Sequence, residues 1–285
     1  DEPHEPSKQS LDAKYPDRPV CMHSGDAHTL WVNSKGLEKL GITKDSVPPK
    51  GGKYGKDENG ELTGIIYETA GLALTRKFMQ FSPEEVHAAF LQFIKDLNAQ
   101  GITSVCDMSM MALPGSDFIQ DEAYAQLEKS GELTVRVHMF PTLLDDLSRP
   151  EALRAKYHSD KLRTPGLKQF FDGVSCTHTA YLKEPYSNAY FPGDHGRTTI
   201  PPEEMRALVL KAAGKGWPVR IHTIGDEAIH LALDYFQEAC ETYGPLPKGQ
   251  NCLEHLEKPT IEDKIQSLKT DNIHGRCVWD CEHTV

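Results

Sequence analysis

The chain has 285 residues, 38% hydrophobic and 26% charged, with a formal net charge of −11. This is the composition of an ordinary soluble globule, long enough for one large α/β unit or for two domains. The acidic balance opposes phosphate backbones, no apolar run is long enough to span a bilayer, and no charged-then-apolar leader opens the chain, so neither nucleic acid nor membrane is expected as a partner.

Residues 1–20 are polar and rich in Pro, Asp and Lys, and read as an irregular lead-in. Residues 21–80 mix short apolar pieces with "PPKGGKYGKDENGELTG", which is dense in turn residues. They are expected to form a small β-type excursion or lid. Residues 81–285 are expected to form the main α/β body. Ser82, Pro83 and Glu85 make a capping-box pattern that opens a helix over about 83–99. Val86, Ala89, Phe90, Phe93, Ile94 and Leu97 fall on one face of it, and Gly101 ends it.

Strand-like and helix-like segments then alternate. Strands are expected at 102–108, 133–140, 166–174, 218–224 and 251–257. Helices are expected at 121–131, 150–158, 201–216, 226–244 and 260–270. Strict alternation argues a parallel sheet with covering helices, and the weak in/out pattern of the strands fits a sheet covered on both faces. No Gly-x-Gly-x-x-Gly or Walker-type loop follows any strand, which weighs against a nucleotide-binding doubly wound sheet. The expected fold is therefore a (β/α) TIM-type barrel, complete or partial.

Function in such a barrel collects at the C-terminal ends of strands. Lys168 in "LKQFFDG", His222 in "VRIH" and His255 in "LEH" lie near strand ends and carry nitrogen that can serve a metal. One helix and one loop separate His222 from His255, so the two belong to consecutive strands and can lie side by side. Each has a bland reading. A single strand-end His is more often structural, Lys168 can snorkel to solvent, Asp226 can cap a helix, and Asp172 can be a turn residue before Gly173. His178 and His230 default to the surface. The seven cysteines are scattered and odd in number, which fits a reducing, cytoplasmic compartment rather than a disulfide framework. Cys277, Cys281 and His283 cluster locally but lack a second ligand pair for a closed zinc site.

Several ordered motifs carry a family resemblance. They are "DAHTLWVNSKGLEKLGI" (26–42), "PPKGGKYGKDENGELTGIIYETA" (48–70), "GITSVCDM" (101–108), "LKQFFDGVSCTHTAYLKEPY" (167–186), "IHTIGDEAI" (221–229) and "LEHLE" (253–257). Together they resemble amidohydrolase family 3, the YtcJ-like branch of the metal-dependent amidohydrolases. The resemblance implies hydrolysis of amide-like C–N bonds in a small molecule. A divalent metal, zinc first and one or two ions, would activate water and polarise the carbonyl. It implies that Lys168, possibly as a carboxylated lysine, and His222 and His255 ligate metal. Asp226 would orient an imidazole or the following helix, and His28, Trp31, Glu68 and Asp172 would contact substrate.

The sequence also departs from that pattern. It has no His-x-His, which the family places on its first barrel strand, and the match stops near Thr270, before the strand that carries a final Asp. Val174 and His178 stand where many relatives carry Ser and Arg. The chain therefore reads as strands two to six of such a barrel, with its lid. Missing strands would expose sheet edges, so a homo-oligomer that covers them is expected. Two other functions compete. A non-catalytic fragment or scaffold would keep the fold without a complete metal site. A Schiff-base enzyme would use a buried Lys168, but it leaves His222 and His255 unexplained.

Overall fold

In the computed structural model, residues 6–24, 29–49, 52–68, 70–71, 74, 81–108, 119–246, 251–263 and 273–276 are described. The chain divides into two compact units, Asp1–Ser82 and Pro83–Val285.

The first unit holds an antiparallel sheet. Its strands are β1 (Cys21–His23), β2 (Thr29–Val32), β3 (Gly52–Lys56) and β4 (Leu62–Glu68), in the order β1-β2-β4-β3. Leu30 and Val32 alternate on β2 and point into an apolar cluster with Leu37, Leu40, Ile42 and Ile66. Helix α1 (Lys8–Lys14) lies within the stretch that composition marks as irregular, and buries Leu11. Helix α2 (Ser34–Leu40) opens on Asn33, whose side chain is fully employed. Its Oδ1 accepts from Val20 N–H and Gly36 N–H, and its Nδ2 donates to Tyr15 O and Arg18 O.

The second unit is built from parallel strands and helices. Strands β5 (Ser104–Met108), β6 (Arg136–Phe140) and β7 (Leu162–Arg163) form one parallel sheet. Strands β8 (Leu167–Phe170), β9 (Val219–Thr223), β10 (Asn251–His255) and β11 (Ile273–Arg276) form a second. A parallel bridge between Thr142 and Lys168 joins the end of β6 to β8. Lys168 N–H donates to Pro141 O and Leu143 N–H donates to Lys168 O, at 2.9 and 2.8 Å. Among the described residues β5 and β11 have one strand neighbour each, so the expected barrel is seen as an α/β arrangement of parallel strands and not as a closed ring.

The helices are α3 (Pro83–Ala99), α4 (Asp121–Ser130), α5 (Ser148–Lys156), α6 (Pro202–Gly214) and α7 (Asp226–Tyr243). They cover one face of the strands. Val137, Met139 and Leu162 pack with Ile94, Leu127 and Leu133, while Leu167, Val219, Ile221 and Leu253 pack with Met205, Leu208, Ile229 and Phe236. Side chains alternate along a strand, so the residues next to these along each strand face the other way. Cys106, His138 and Arg163 align there, as do Lys168, Arg220 and Cys252, and then Phe170, His222 and Glu254. One face of the sheet is thus apolar and the other carries ionisable groups.

At the C-terminal end one expectation changes and another is seen in part. Strand β11 runs parallel to β10 beyond Thr270, where no further strand is expected. The helix expected over 260–270 is seen at 261–263, and its remainder lies outside the described residues.

Candidate metal and substrate site

Strand β9 delivers His222 to the ionisable face next to Phe170 of β8 and Glu254 of β10. The His222 imidazole is buried, and burial pushes its pKa down to about 4. The Gly173 carbonyl opposes this shift, while the neighbouring His255 and Lys168 add to it. Nε2 of His222 lies 2.9 Å from Gly173 O, an acceptor only, so Nε2 carries the proton and Nδ1 keeps the lone pair.

His255 ends β10, paired in register with Thr223. Its φ of 77°, followed by 50° at Leu256, breaks the strand alternation at this point. The imidazole meets His222 edge to face, with ring centroids 4.5 Å apart.

Lys168 is 3% exposed, and burial lowers its pKa to about 8. Glu254 and Cys252 oppose that shift and Arg220 reinforces it. Glu254 is itself held by Arg220, at 2.7 Å. Nζ of Lys168 sits 4.8 Å from the Phe170 ring centre. A substantial neutral fraction near pH 8 is what carboxylation of a lysine requires, since only the free amine attacks carbon dioxide.

Asp172 is 1% exposed and accepts three backbone N–H groups, from Ile224, Gly225 and Tyr181. Burial nevertheless raises its carboxyl to about 6. It fastens the turn that follows β9 and so fixes the backbone just beyond His222. Its Oδ1 lies 3.8 Å from His222 Nε2, beyond hydrogen-bond reach. Asp226 opens α7, where its Oδ1 accepts from Lys183 N–H and Glu227 N–H. These bonds orient the helix start and the loop after β8. Between them, Gly225 lies so close to Tyr181 that any Cβ would run into the Tyr181 carbonyl.

The remaining expected contacts lie in the first unit. Trp31 is on β2 and its indole N–H donates to Ser7 O at 2.7 Å. Glu68 ends β4, and His28 lies outside the described residues. Cys277, Cys281 and His283 also lie outside them.

Sequence reasoning missed His178. It is 8% exposed rather than a surface residue, with Nδ1 3.3 Å from the buried Asp194 carboxylate. The Arg220–Glu254 pair was missed as well, although its alternation with His222 and Cys252 was a usable signal. His230, also assigned to the surface, is half-buried and bonded to Asp263 at 3.0 Å.

The donor chemistry fits a divalent ion in part. His222 is neutral and keeps one lone pair, and His255 sits beside it. Yet among the described residues no group of three His, Cys, Asp or Glu is placed to hold a metal. Two imidazoles and a lysine are some of the donors for such an ion, not a complete set.

The amidohydrolase family model matches residues 1–257. A Bacillus subtilis (strain 168) protein named as an amidohydrolase, YtcJ, is 30% identical over 237 residues, covering 81% of this chain and 43% of that protein. LONG AFTER FAR-RED 3 of Arabidopsis thaliana is 26% identical over 248 residues, covering 84% of this chain and 42% of that protein. The structure of an uncharacterized metal-dependent hydrolase from Pyrococcus horikoshii OT3 superposes with a TM-score of 0.68 and 26% identity, over 92% of this chain and 49% of that one. The chain thus spans less than half the length of these relatives. The match over residues 1–257 places this chain in the amidohydrolase family.

Proposed function

We propose that the chain is part of a metal-dependent hydrolase of amide-like C–N bonds. The observation that carries this reading is the paired His222 and His255 at adjacent strand ends, beside a buried Lys168 of lowered pKa. In this reading His222 and His255 donate nitrogen to one divalent ion, zinc being the first to test, and Lys168 contributes as its carbamate. Such an ion would polarise an amide carbonyl and make water a better nucleophile near neutral pH. The chain's own residues do the positioning. Asp172 and Gly225 lock the turn behind His222, Asp226 ties the loop after β8 to α7, and Arg220 holds Glu254 against the lysine. His28, Trp31 and Glu68 are proposed substrate contacts.

The same reading takes the parallel strands as an arc of a (β/α) barrel. The bridge at Thr142 and Lys168 supports it, because it makes β5, β6, β8, β9, β10 and β11 neighbours in one continuous order. Self-association that covers the end strands belongs to this proposal.

A second reading is favoured by the incomplete donor set: a non-catalytic member that keeps the fold. The two are separated by loading the purified chain with zinc and bicarbonate and following amine release from a panel of simple amides. Zinc-dependent release, abolished by His222→Ala, supports the hydrolase. Release that ignores zinc or that survives the substitution contradicts it, and none at all favours the non-catalytic reading.

A further inference from the structure

The loop between β8 and α6 contains a built element that metal binding does not use. The 3₁₀ turn Ser175–Thr177 is followed by His178 in a left-handed conformation, φ 53°. Both faces of the imidazole are covered. Tyr186 stacks at 4.3 Å and 2°, and Tyr190 at 3.9 Å and 17°; two near-parallel rings this close must occupy opposite faces. Nδ1 lies 3.3 Å from Asp194 Oδ2, and both side chains are 5% exposed. Asp194 is fixed in turn by Gly196 N–H and Tyr190 N–H. A left-handed non-glycine residue, two stacked rings and a buried carboxylate on one histidine are more than packing requires.

The chemistry follows from the carboxylate. Ionised Asp194 only accepts, so the shared proton sits on Nδ1, and in the tautomer with no proton on Nε2 that nitrogen presents its lone pair. Among the described residues no hydrogen-bond partner of Nε2 is seen, while Tyr186 and Tyr190 cover the ring faces and Asp194 meets Nδ1. The loop is tied to the candidate site by hydrogen bonds. Gly173 O accepts from His222, Gly173 N–H donates to Thr179 O, and Ser175 Oγ donates to Glu257, two residues past His255. Tyr190 and Phe191, 72% and 60% exposed, supply aromatic surface on the same loop.

We propose that His178, clamped by Asp194, Tyr186 and Tyr190, is a substrate-recognition residue whose Nε2 accepts the N–H of a secondary amide bearing an aromatic or apolar substituent. The assignment rests on the amide-hydrolase reading for its ligand class, and its geometry is independent of any metal.

The test is long-range ¹H–¹⁵N correlation on the purified chain, with the His178 signals identified by their loss in His178→Gln. The free protein is expected to show Nδ1 protonated and Nε2 bare. N-benzylacetamide is then titrated in, and N-benzyl-N-methylacetamide, which has no amide N–H, is the control. The first is expected to shift His178 Nε2 and to bind about tenfold more tightly, the worth of roughly one hydrogen bond. A proton on Nε2 in the free protein, equal binding of the two amides, or no shift with either overturns the proposal. Zinc uptake by the same samples is read in parallel. Loss of zinc binding with the amide shift intact sinks the metal reading alone, and intact zinc binding without the shift sinks this one alone.

Discussion

The imidazoles of His222 and His255 meet edge to face at 4.5 Å although the strand register pairs His255 with Thr223. A regular strand would turn His255 to the helix-covered face with Thr223. The positive φ values at His255 and Leu256 accompany the opposite outcome, so the contact is made at the cost of an unfavourable backbone conformation. This strain at the strand end is an observation that motivates the proposed pairing of the two imidazoles at a metal.

The turn behind His222 is fixed by a carboxylate that accepts three N–H groups. Asp172→Asn keeps the shape but replaces one acceptor oxygen with a donor that faces backbone N–H. We expect a loss of about 2 kcal/mol in urea unfolding, the cost of leaving buried donors unmatched. Zinc affinity should fall with it. Unchanged stability would show that the three bonds do not position the turn.

Gly225→Ala should be more damaging than Gly131→Ala. At Gly225 the added methyl meets the Tyr181 backbone, which cannot swing aside. At Gly131 the space is open and only the left-handed φ of 80° is penalised. We expect about 3 kcal/mol for the first and about 1 kcal/mol for the second, by chemical denaturation. Equal losses would contradict the close approach of the two loops.

Acid should weaken the loop that carries His178. Burial alone would raise the Asp194 carboxyl, but Gly196 N–H, the His178 imidazole and Tyr190 N–H outweigh it and hold the carboxyl below its ordinary value. The unfolded chain therefore binds this proton at a higher pH than the native one. The stabilisation is complete above the ordinary carboxylate range and is lost as pH falls through the folded value. Asp194→Asn should show a shallower loss of stability between about pH 5 and about pH 3 than the native sequence. Parallel pH profiles would contradict this.

The cysteines should separate by reactivity. Burial pushes the Cys21 thiol up to about 11, whereas Cys176 is exposed on the loop after β8. Near about pH 8 iodoacetamide should alkylate Cys176 well before Cys21, read by peptide mass mapping. Comparable rates would mean that β1 opens readily.

Much of this architecture is legible in the sequence, because it depends on local pattern. The capping-box pattern at Ser82 and the period of Val86 to Leu97 locate α3, and the apolar run before His222 locates β9. The pairing of His222 with His255 follows from their place on consecutive strands. What was not legible depends on distant partners. The αL turn at His178 becomes meaningful only when Asp194, sixteen residues on, and two tyrosines close around it. Strand β11 carries too short a pattern to announce itself and is defined by its pairing with β10. Helix α1 sits in a polar stretch and buries a single leucine, so composition hides it.

The most direct test of the central claim is zinc binding by the purified chain, compared with His222→Ala and His255→Ala, by elemental analysis after equilibrium dialysis. The account predicts zinc retained by the native sequence and lost in each variant, with stoichiometry unchanged in His178→Gln. Zinc retained equally by all four proteins, or by none, would contradict a metal held between His222 and His255.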